Sequence, residues 1–490
     1  MTDGENSANG QLESSIKKRR KAKGNRTGAS WAPSVLTAMG RTDAANAKRL
    51  IAAHGVNLRW CDQWGKWLVW DGARWSSDRA CAAESLAKQT MGRLWYDVAA
   101  TKDKVEDPVH REIVRFAKAS NQANGIKNAM LLARSEPGVP ILPESLDQNG
   151  WLLNVVNGTL DLRTGNLHPH DRADLMTKLA PVVYDPDADC PRWLDFLRVV
   201  TGGDRDLQDF LRRLVGYSLT GSVQDHVLPF LYGTGANGKS VFLNTVLALL
   251  GGDYAMKAPP DLLMAKKGQS HPTERADLFG RRFVAAIEAE DGRRLAEALV
   301  KELSGGDKVR ARRMREDFWE FEPTHKIWLA ANHKPTIRGT DYGIWRRVKL
   351  VPFTVTIPPE RQDKHLPDKL REEFSGILNW ALSGCIEWQH MGLGEPAAVA
   401  SATAEYRDEM DILGEFIDDC CVIAPDAKAG ATPLYQAFAG WCEQTGERAI
   451  KQREFGIRLT ERGFDISRDR SGRKMRLGIG LLTTQSDDER

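Results

Sequence analysis

The feature that most constrains the fold is an eight-residue loop, residues 233–240, that stands between an apolar run and a helical segment. It reads Gly-Thr-Gly-Ala-Asn-Gly-Lys-Ser. The apolar run before it, residues 226–232, is typical of a buried strand, although Pro229 is unusual inside one. Residues 241–250 follow with helical length and end at a glycine pair. A strand, a glycine-rich loop and a helix in this order predict an α/β fold.

The composition of this loop predicts that it binds the phosphates of a nucleotide. It matches G-x-x-x-x-G-K-[ST], in which glycines let backbone N–H groups turn toward an anion. Lys239 would reach the terminal phosphates, Ser240 would ligate Mg²⁺, and the helix would present its positive dipole end. The alternative is a glycine-rich turn that binds nothing. We predict ATP and Mg²⁺ as ligands, held by Gly233, Thr234, Gly235, Ala236, Asn237, Gly238, Lys239 and Ser240.

Length and composition exclude several classes of protein. A chain of 490 residues allows about three domains. No apolar run approaches the roughly 18 to 20 residues of a membrane span, and no secretory segment stands near the start, so we expect a cytoplasmic protein without a membrane partner. The seven cysteines lack zinc spacing. They predict reduced thiols and no structural metal.

The beginning of the chain differs from the rest in charge. Residues 1–30 hold seven basic and three acidic residues, whereas the whole chain has a net charge of +3. A basic segment with few apolar residues predicts disorder. Such a tail suits nucleic-acid phosphates, and a solubilising role is the equal alternative.

Five tryptophans cluster in the region that follows, which we predict to be an α+β domain. Base stacking on single-stranded nucleic acid is one interpretation of the cluster. A small core packed from indole rings is the interpretation that we favour. The five are Trp60, Trp64, Trp67, Trp70 and Trp75.

Acidic and amide residues follow the next apolar strands after the loop. Residues 283–287 read as a buried strand that leads into Glu288 and Glu290. Their spacing places both carboxylates on one side if the strand continues. We predict this strand beside the loop strand, with Glu288 at the metal and Glu290 as the base, or the reverse. A third strand, residues 326–331, ends at Asn332, which would sense the γ-phosphate; turn chemistry is its alternative.

Basic residues occupy two further places in the same region. Arg346 or Arg347 would neutralise charge at the ATP of an adjacent subunit, although a double arginine is also an ordinary surface feature. Before Asn332, three basic residues would share one face of a strand paired with residues 318–321. This hairpin would follow a DNA backbone inside a ring, or it is an edge kept soluble by charge. The three residues are Lys308, Arg310 and Arg312.

The last part of the chain predicts a winged helix. Residues 425–433 read as a loop that marks a boundary. Two helices and a hairpin follow, and basic residues concentrate on the second helix and the wing. We select Arg458 and Arg473 as DNA contacts, against the alternative of a solvated basic face.

This ordered set of motifs resembles superfamily 3 helicases. It is more similar to the helicase half of phage and plasmid primase-helicases, which are related to the poxvirus helicase-primase. Further segments that carry the resemblance are residues 64–75, 154–162, 271–274 and 455–464. The resemblance implies an AAA+-like core in a homo-hexameric ring that moves 3′ to 5′ on single-stranded or forked DNA. It also implies replication of a phage, plasmid or integrated element in a bacterial host cytoplasm, with a separate primase or polymerase as a candidate partner.

From these motifs we predict five segments and one leading function, an ATP-dependent DNA helicase. Two alternatives are an origin-binding initiator that uses ATP as an assembly switch, and a primase-helicase. Because only a short basic tail precedes the part that resembles the helicase half, we do not expect priming. The segments are a tail (1–35), an N-terminal α+β domain (36–190), an ATPase core (191–360), a helical extension (361–423) and a winged helix (424–490).

Overall fold

The computed structural model describes residues 39–259, 261–265, 272–287, 293–313, 317–337 and 342–482. The predicted tail, residues 1–35, lies outside them. The chain divides into two compact units, with residues 72–74 counted in the second. No helix in the described ranges is both long and apolar enough to cross a bilayer.

The first unit, up to Ser145, packs helices with a three-stranded antiparallel sheet of order β1-β2-β3. Trp60 faces Trp67 across β1 and β2, with ring centroids 5.3 Å apart. Both are buried, as is Trp75, so the packing interpretation is confirmed for these three indoles. The elements are α1 (Asp43–His54), β1 (Leu58–Cys61), β2 (Lys66–Trp70), β3 (Trp75–Ser77), α2 (Ala82–Thr101), α3 (Asp107–Ser120) and α4 (Ala123–Ala133).

The second unit contains the remaining elements. Up to the end of the central sheet they are β4 (Leu152–Val155), β5 (Gly158–Asp161), β6 (Leu167–His168), α5 (Pro191–Val200), α6 (Arg205–Leu219), β7 (Leu228–Tyr232), α7 (Lys239–Tyr254), β8 (Ala255–Ala258), α8 (Pro272–Ala276), β9 (Phe283–Ile287), α9 (Glu297–Ser304), β10 (Val309–Ala311), β11 (Trp319–Phe321), β12 (Lys326–Ala331), α10 (Tyr342–Trp345) and β13 (Val348–Pro352). After the sheet follow α11 (Leu366–Glu372), α12 (Phe374–Met391), α13 (Ala397–Glu409), α14 (Ile412–Cys420), β14 (Cys421–Gly430), α15 (Ala431–Thr445), α16 (Gln452–Glu461), β15 (Ile466–Arg468) and β16 (Lys474–Leu481).

The centre of this unit is a parallel five-stranded sheet of order β13-β7-β12-β9-β8. Both faces are buried, because alternate residues of each strand enter different cores. Trp328 and Ala330 of β12 join the core that contains α7, whereas Ile327 and Leu329 join the core on the opposite face. The mixed α/β fold predicted from the sequence is therefore confirmed.

Residues 146–190, predicted as part of the N-terminal domain, instead pack in the second unit. The predicted hairpin is present as β4 and β5, and β6 completes its sheet. Leu153 and Leu160 share one core with Trp193 of α5 and Phe242 of α7. This small sheet therefore supports the face of the central sheet that carries α7.

The C-terminal module, residues 410–482, surrounds its own core of Phe416, Phe438 and Phe455. Its sheet has the order β14-β16-β15. The boundary loop predicted at 425–433 was wrong, because most of that segment is strand β14. The strand tolerates Pro425 since it lies at the sheet edge and its pairing shifts register between Ile423 and Lys428.

A buried histidine lies at the start of β12, far along the strand from its carboxyl end. His325 is 2 % exposed, and its pKa falls to about 4 because burial penalises the charged form and the Lys326 ammonium lies beside it. Lys326 donates to the carbonyls of Ser222 and Thr324 at 3.2 and 3.1 Å, and burial lowers its own pKa. The folded chain therefore binds fewer protons here than the unfolded chain below the usual histidine pKa.

We expect acid to destabilise the fold through this histidine. A folded pKa below the unfolded value removes stability as pH falls from about 6.5 toward 4, which amounts to about 2 kcal/mol between pH 7.5 and 5.0. Urea unfolding at both pH values should show this loss in the wild type and a correspondingly smaller loss in His325→Phe. The exposed His390→Phe variant is the control. Equal pH dependence of the wild type and His325→Phe would contradict the assignment.

Candidate functional site

The predicted phosphate loop joins the carboxyl end of β7 to the first turn of α7. Gly235, Ala236 and Gly238 adopt positive φ angles of 114°, 48° and 83°. A Cβ on Gly238 would lie 2.5 Å from Val200 Cγ1, and one on Gly233 would lie 2.1 Å from the Phe353 carbonyl oxygen. Only glycine fits these two positions, so the sequence pattern is required by the backbone path itself.

Lys239 is held in the middle of this loop by neutral oxygens. Lys239 is only 6 % exposed. Its Nζ donates to Gly233 O at 2.5 Å, and to Asn237 Oδ1 and Asn332 Oδ1 at 3.1 Å each. Burial lowers the pKa of this ammonium. A buried cation with neutral acceptors favours an incoming anion, because the anion restores the charge compensation that burial removes. Ser240 follows in the first helical turn and is exposed.

Asn332 lies directly after β12, and the structure places its side-chain oxygen within hydrogen-bond distance of Lys239. Its role as a γ-phosphate sensor stays a prediction. Strand β12 pairs with β7 so that Ala331 stands opposite Tyr232, the residue before the loop. The expectation that the acidic strand is the direct neighbour of β7 was wrong, because β12 lies between β7 and β9. The order of parallel strands depends on their crossover connections, which the residue pattern does not encode.

The two predicted carboxylates lie outside the described residues. Glu288 and Glu290 follow the last residue of β9, Ile287. The described strand ends at the same sheet edge as β12 and β7, since all three are parallel. The roles of both carboxylates stay predictions.

The structure separates the two candidate arginines. Arg347 is buried, and its guanidinium donates to Ser304 Oγ at 3.2 Å and to Gly343 O at 2.6 Å. Arg346 is exposed at the surface. Of the two side chains, only that of Arg346 is therefore accessible at the surface.

The predicted hairpin exists as β10 and β11. Val309 and Ala311 point into the core, so the intervening Arg310 faces outward. The guanidinium carbons of Arg310 and Arg312 lie 4.5 and 4.9 Å from the centre of the Phe318 ring, which is 47 % exposed. These three side chains form an outward surface that combines positive charge with an aromatic ring.

The hairpin is less basic than its first strand alone suggests, because acidic residues lie on and beside its second strand. Arg310 stands opposite Glu320 in the strand pairing, and Lys308 Nζ lies 3.9 Å from Glu322 Oε1. Lys308 is therefore partly compensated. The positive character concentrates on the side of Arg312 and Phe318.

The two predicted DNA contacts of the C-terminal module differ in access. The Arg473 side chain is 82 % exposed, whereas the Arg458 side chain is 12 % exposed and pairs with Glu454 at 2.8 Å. Arg476 is buried, and donates to Thr460 Oγ1 at 2.7 Å and to Phe464 O at 2.9 Å. Arg473 is the accessible member of the predicted pair.

Two contacts at the site were not predicted from the sequence. Asn237, treated only as a loop position, donates its side-chain amide to Phe353 O at 2.9 Å and so ties the loop to the segment after β13. Lys334, two residues after Asn332, contacts Glu409 through both carboxylate oxygens at 2.7 Å. The second pair is 75 residues apart in the chain, and no sequence signal points to it.

Two family models match the chain. A "D5 N terminal like" model matches residues 47–202. A family of unknown function, DUF5906, matches residues 231–347. The second match runs from the end of β7 through the loop and Asn332 to the arginine pair.

Curated relatives that match include proteins of large DNA viruses. "Putative helicase L207/L206" of Acanthamoeba polyphaga mimivirus is 26 % identical over 373 residues, which are 70 % of this chain and 38 % of that protein. "Putative helicase 022R" of Frog virus 3 is 26 % identical over 52 % of this chain and 28 % of its own length. "Putative primase C962R" of African swine fever virus (Malawi isolate) is 23 % identical over 61 % and 34 %. The chain thus spans about a third of the length of these relatives.

A solved structure, the apo NrS-1 C-terminal region (305–718), aligns with 90 % of this chain and all of its own at 9 % identity. The TM-score of this alignment is 0.45. The domain match and the viral relatives confirm the resemblance seen in the motifs. The chain therefore carries a D5 N terminal like match over residues 47–202 and is similar to helicase- and primase-named proteins of large DNA viruses.

Proposed function

We propose that this protein is an ATP-dependent DNA helicase of the superfamily 3 type that acts in replication of a mobile element. The observation that carries the proposal is the meeting of Lys239 and Asn332, at 3.1 Å, at the carboxyl edge of a parallel sheet. Ligands of open α/β sheets bind at this edge. The helicase and primase names of the viral relatives support a replication role.

The residues present fit a nucleoside triphosphate with Mg²⁺. Backbone N–H groups of the loop and the first turn of α7 would hold the phosphates, and Lys239 would exchange its neutral acceptors for them. Ser240 and Glu288 would hold the metal, which supplies charge neutralisation at the phosphates. Asn332, already within reach of Lys239 Nζ, would orient the attacking water or the γ-phosphate.

We further propose that ATP lies at a boundary between subunits of a homo-hexamer. Arg346 is the exposed member of the arginine pair, which suits a cation delivered to a neighbour's site. Arg347 is occupied within its own chain by Ser304 and Gly343. Of the two arginines, Arg346 would therefore be the one that neutralises charge at the ATP of the adjacent subunit.

The DNA path in this proposal uses the face formed by Arg310, Arg312 and Phe318. Cations around an exposed ring suit single-stranded DNA, which offers phosphates and unstacked bases. Within the C-terminal module, α15, α16 and the hairpin of β15 and β16 are proposed to form a winged helix that contacts duplex DNA through Arg473. Movement 3′ to 5′ is part of the proposal.

Removing both hairpin arginines should weaken single-stranded DNA binding and its salt dependence. Each phosphate contact contributes about 0.7 to the slope of log K against log salt, so Arg310→Ala with Arg312→Ala should lower the slope by about 1.4. Fluorescence anisotropy with a labelled oligonucleotide at several salt concentrations measures it. The control pair, Arg361→Ala with Arg371→Ala, removes equal charge elsewhere in the same unit. An unchanged slope would remove the hairpin from the DNA path.

The names of the African swine fever virus relatives favour testing a second function, priming. Incorporation of labelled ribonucleotides on a bare single-stranded template measures it directly. We expect none. Primer synthesis that persists in Lys239→Ala would establish a second active site and the primase-helicase alternative.

The initiator alternative makes a different prediction for DNA. Sequence-specific protection of the element's own duplex, without strand displacement, would favour an ATP-controlled assembly switch. Footprinting and a displacement assay on the same preparation separate the two functions. We expect displacement that depends on ATP hydrolysis.

A further inference from the structure

A lysine two residues beyond Asn332 lies between the loop strand β7 and helix α13. Lys334 has a side chain that is only 15 % exposed, and Nζ lies 5.0 Å from the ring centre of Tyr232 and 5.5 Å from that of Tyr406. It also donates to both carboxylate oxygens of Glu409 at 2.7 Å. Tyr232 is the last residue before the phosphate loop. Lys334 therefore contacts the strand that leads into the loop and also belongs to the segment that carries Asn332.

The same segment is held a second time by α13. The Tyr406 hydroxyl donates to the carbonyl of Pro335, and the tyrosine is fully buried. Glu409 and Tyr406 lie in the last turn of the helix. An extended chain spans at most about 3.6 Å per residue, and Lys334 is only two residues from Asn332. A large backbone movement of Asn332 away from Lys239 therefore requires Lys334 and the C-terminal end of α13 to move as well.

The end of α13 also connects to the C-terminal module. Asp411, two residues after Glu409, caps α14 by accepting from the Gly414 N–H at 3.1 Å. The same carboxylate pairs with Arg462, which caps the end of α16. Three side-chain contacts, joined by the backbone steps 332–334 and 409–411, therefore connect the phosphate loop to the end of α16.

We propose that Lys334 and Glu409 are a positioning pair: they set Asn332 against the site and transmit nucleotide occupancy through α13 to the C-terminal module. The inference rests on the proposed ATP site. An incoming phosphate would take the Lys239 ammonium from Asn332 Oδ1. Residues 332–335 would then shift. Helix α13 would follow, because Tyr406 and Glu409 in its last turn are hydrogen-bonded to this segment.

The chain offers a matched control for this pair. Lys349 and Glu395 form an ion pair of 2.6 Å just before the start of the same helix, and it contacts β13 rather than the Asn332 segment. Glu395→Gln therefore loosens the opposite end of α13. The test variants are Lys334→Met and Glu409→Gln, with Lys334→Arg as the replacement that keeps the positive charge and can still donate to Glu409.

Three measurements on the full chain test the proposal. Titration with a fluorescent ATP analogue gives nucleotide Kd, steady-state hydrolysis gives kcat and KM, and hydrogen exchange follows peptides of α14 and α16 with and without the analogue. We expect Lys334→Met and Glu409→Gln to keep Kd within about 3-fold, to lose kcat by about 10-fold or more, and to lose the nucleotide-dependent change in exchange. Lys334→Arg should regain most of kcat, and Glu395→Gln should match the wild type.

The outcomes separate this inference from the proposed function. The wild type could bind the analogue tightly while hydrogen exchange in α14 and α16 stays the same with and without it. That result would overturn the coupling and leave the ATP site intact. Unchanged kcat in both Lys334→Met and Glu409→Gln, or an equal loss in Glu395→Gln, would overturn the positioning role. Absence of analogue binding to the wild type would overturn the ATP site and this inference with it.

Discussion

Replacing Lys239 with alanine should abolish ATP hydrolysis and, with it, strand displacement. The ammonium is the buried cation of the loop and contacts three oxygens that converge from Gly233, Asn237 and Asn332. Removing one preorganised charge-stabilising group at a transferring phosphoryl costs about 100-fold or more in rate. DNA-stimulated phosphate release and displacement from a forked substrate measure the two losses.

The fold should survive this substitution, because burial of the Lys239 ammonium itself opposes folding, as its lowered pKa indicates, and alanine removes that cost. Thermal unfolding should therefore change by only a few degrees. Lys257→Ala, which removes an exposed lysine of β8 in the same sheet, is the control and should hydrolyse ATP normally. Normal unwinding by Lys239→Ala would refute the ATP-driven account.

Replacing Arg346 with alanine should produce the second large loss. An arginine supplied to a neighbour's nucleotide is worth about 10³-fold in kcat or more. Since Arg346 is exposed and not part of the loop, analogue Kd should stay within about 3-fold of the wild type. Arg347→Ala is the informative comparison, because losing the contacts of that buried guanidinium to Ser304 and Gly343 should lower Tm instead.

Mixing two inactive variants tests whether Arg346 acts between subunits. In an assembly of Lys239→Ala and Arg346→Ala chains, about one quarter of the interfaces in a random equal mixture regain both groups. Hydrolysis by the mixture should therefore rise well above that of either variant alone. If the mixture stays inactive although mixed assemblies form, Arg346 acts within its own chain or not at all.

The sequence predicted the parts of the site that depend on local chemistry. The loop needs glycine where a Cβ would collide with its neighbours, as at Gly233 and Gly238. The glycine spacing in the sequence therefore predicts the path of the backbone. Strands β9 and β12 were predicted at their observed bounds because short apolar runs buried on both faces are distinctive. Asn332 was placed correctly for the same reason, since it directly follows such a run.

What the sequence did not predict depends on contacts that are distant in the chain. The position of β12 between β7 and β9 follows from crossover connections. The distinction between Arg346 and Arg347 depends on which guanidinium donates a hydrogen bond to the hydroxyl of Ser304, which lies 43 positions before Arg347 in the chain. Pro425 suggested a loop, yet a register shift at a sheet edge accommodates it in β14.

The central claim is that ATP hydrolysis at residues 233–240 drives movement along DNA, and displacement from partial duplexes with a 3′ or a 5′ tail tests it most directly. We predict that the wild type displaces the strand from the 3′-tailed substrate with ATP, and that a non-hydrolysable analogue or Lys239→Ala abolishes the reaction. Displacement that does not require hydrolysis, or hydrolysis without displacement from either substrate, would contradict the account.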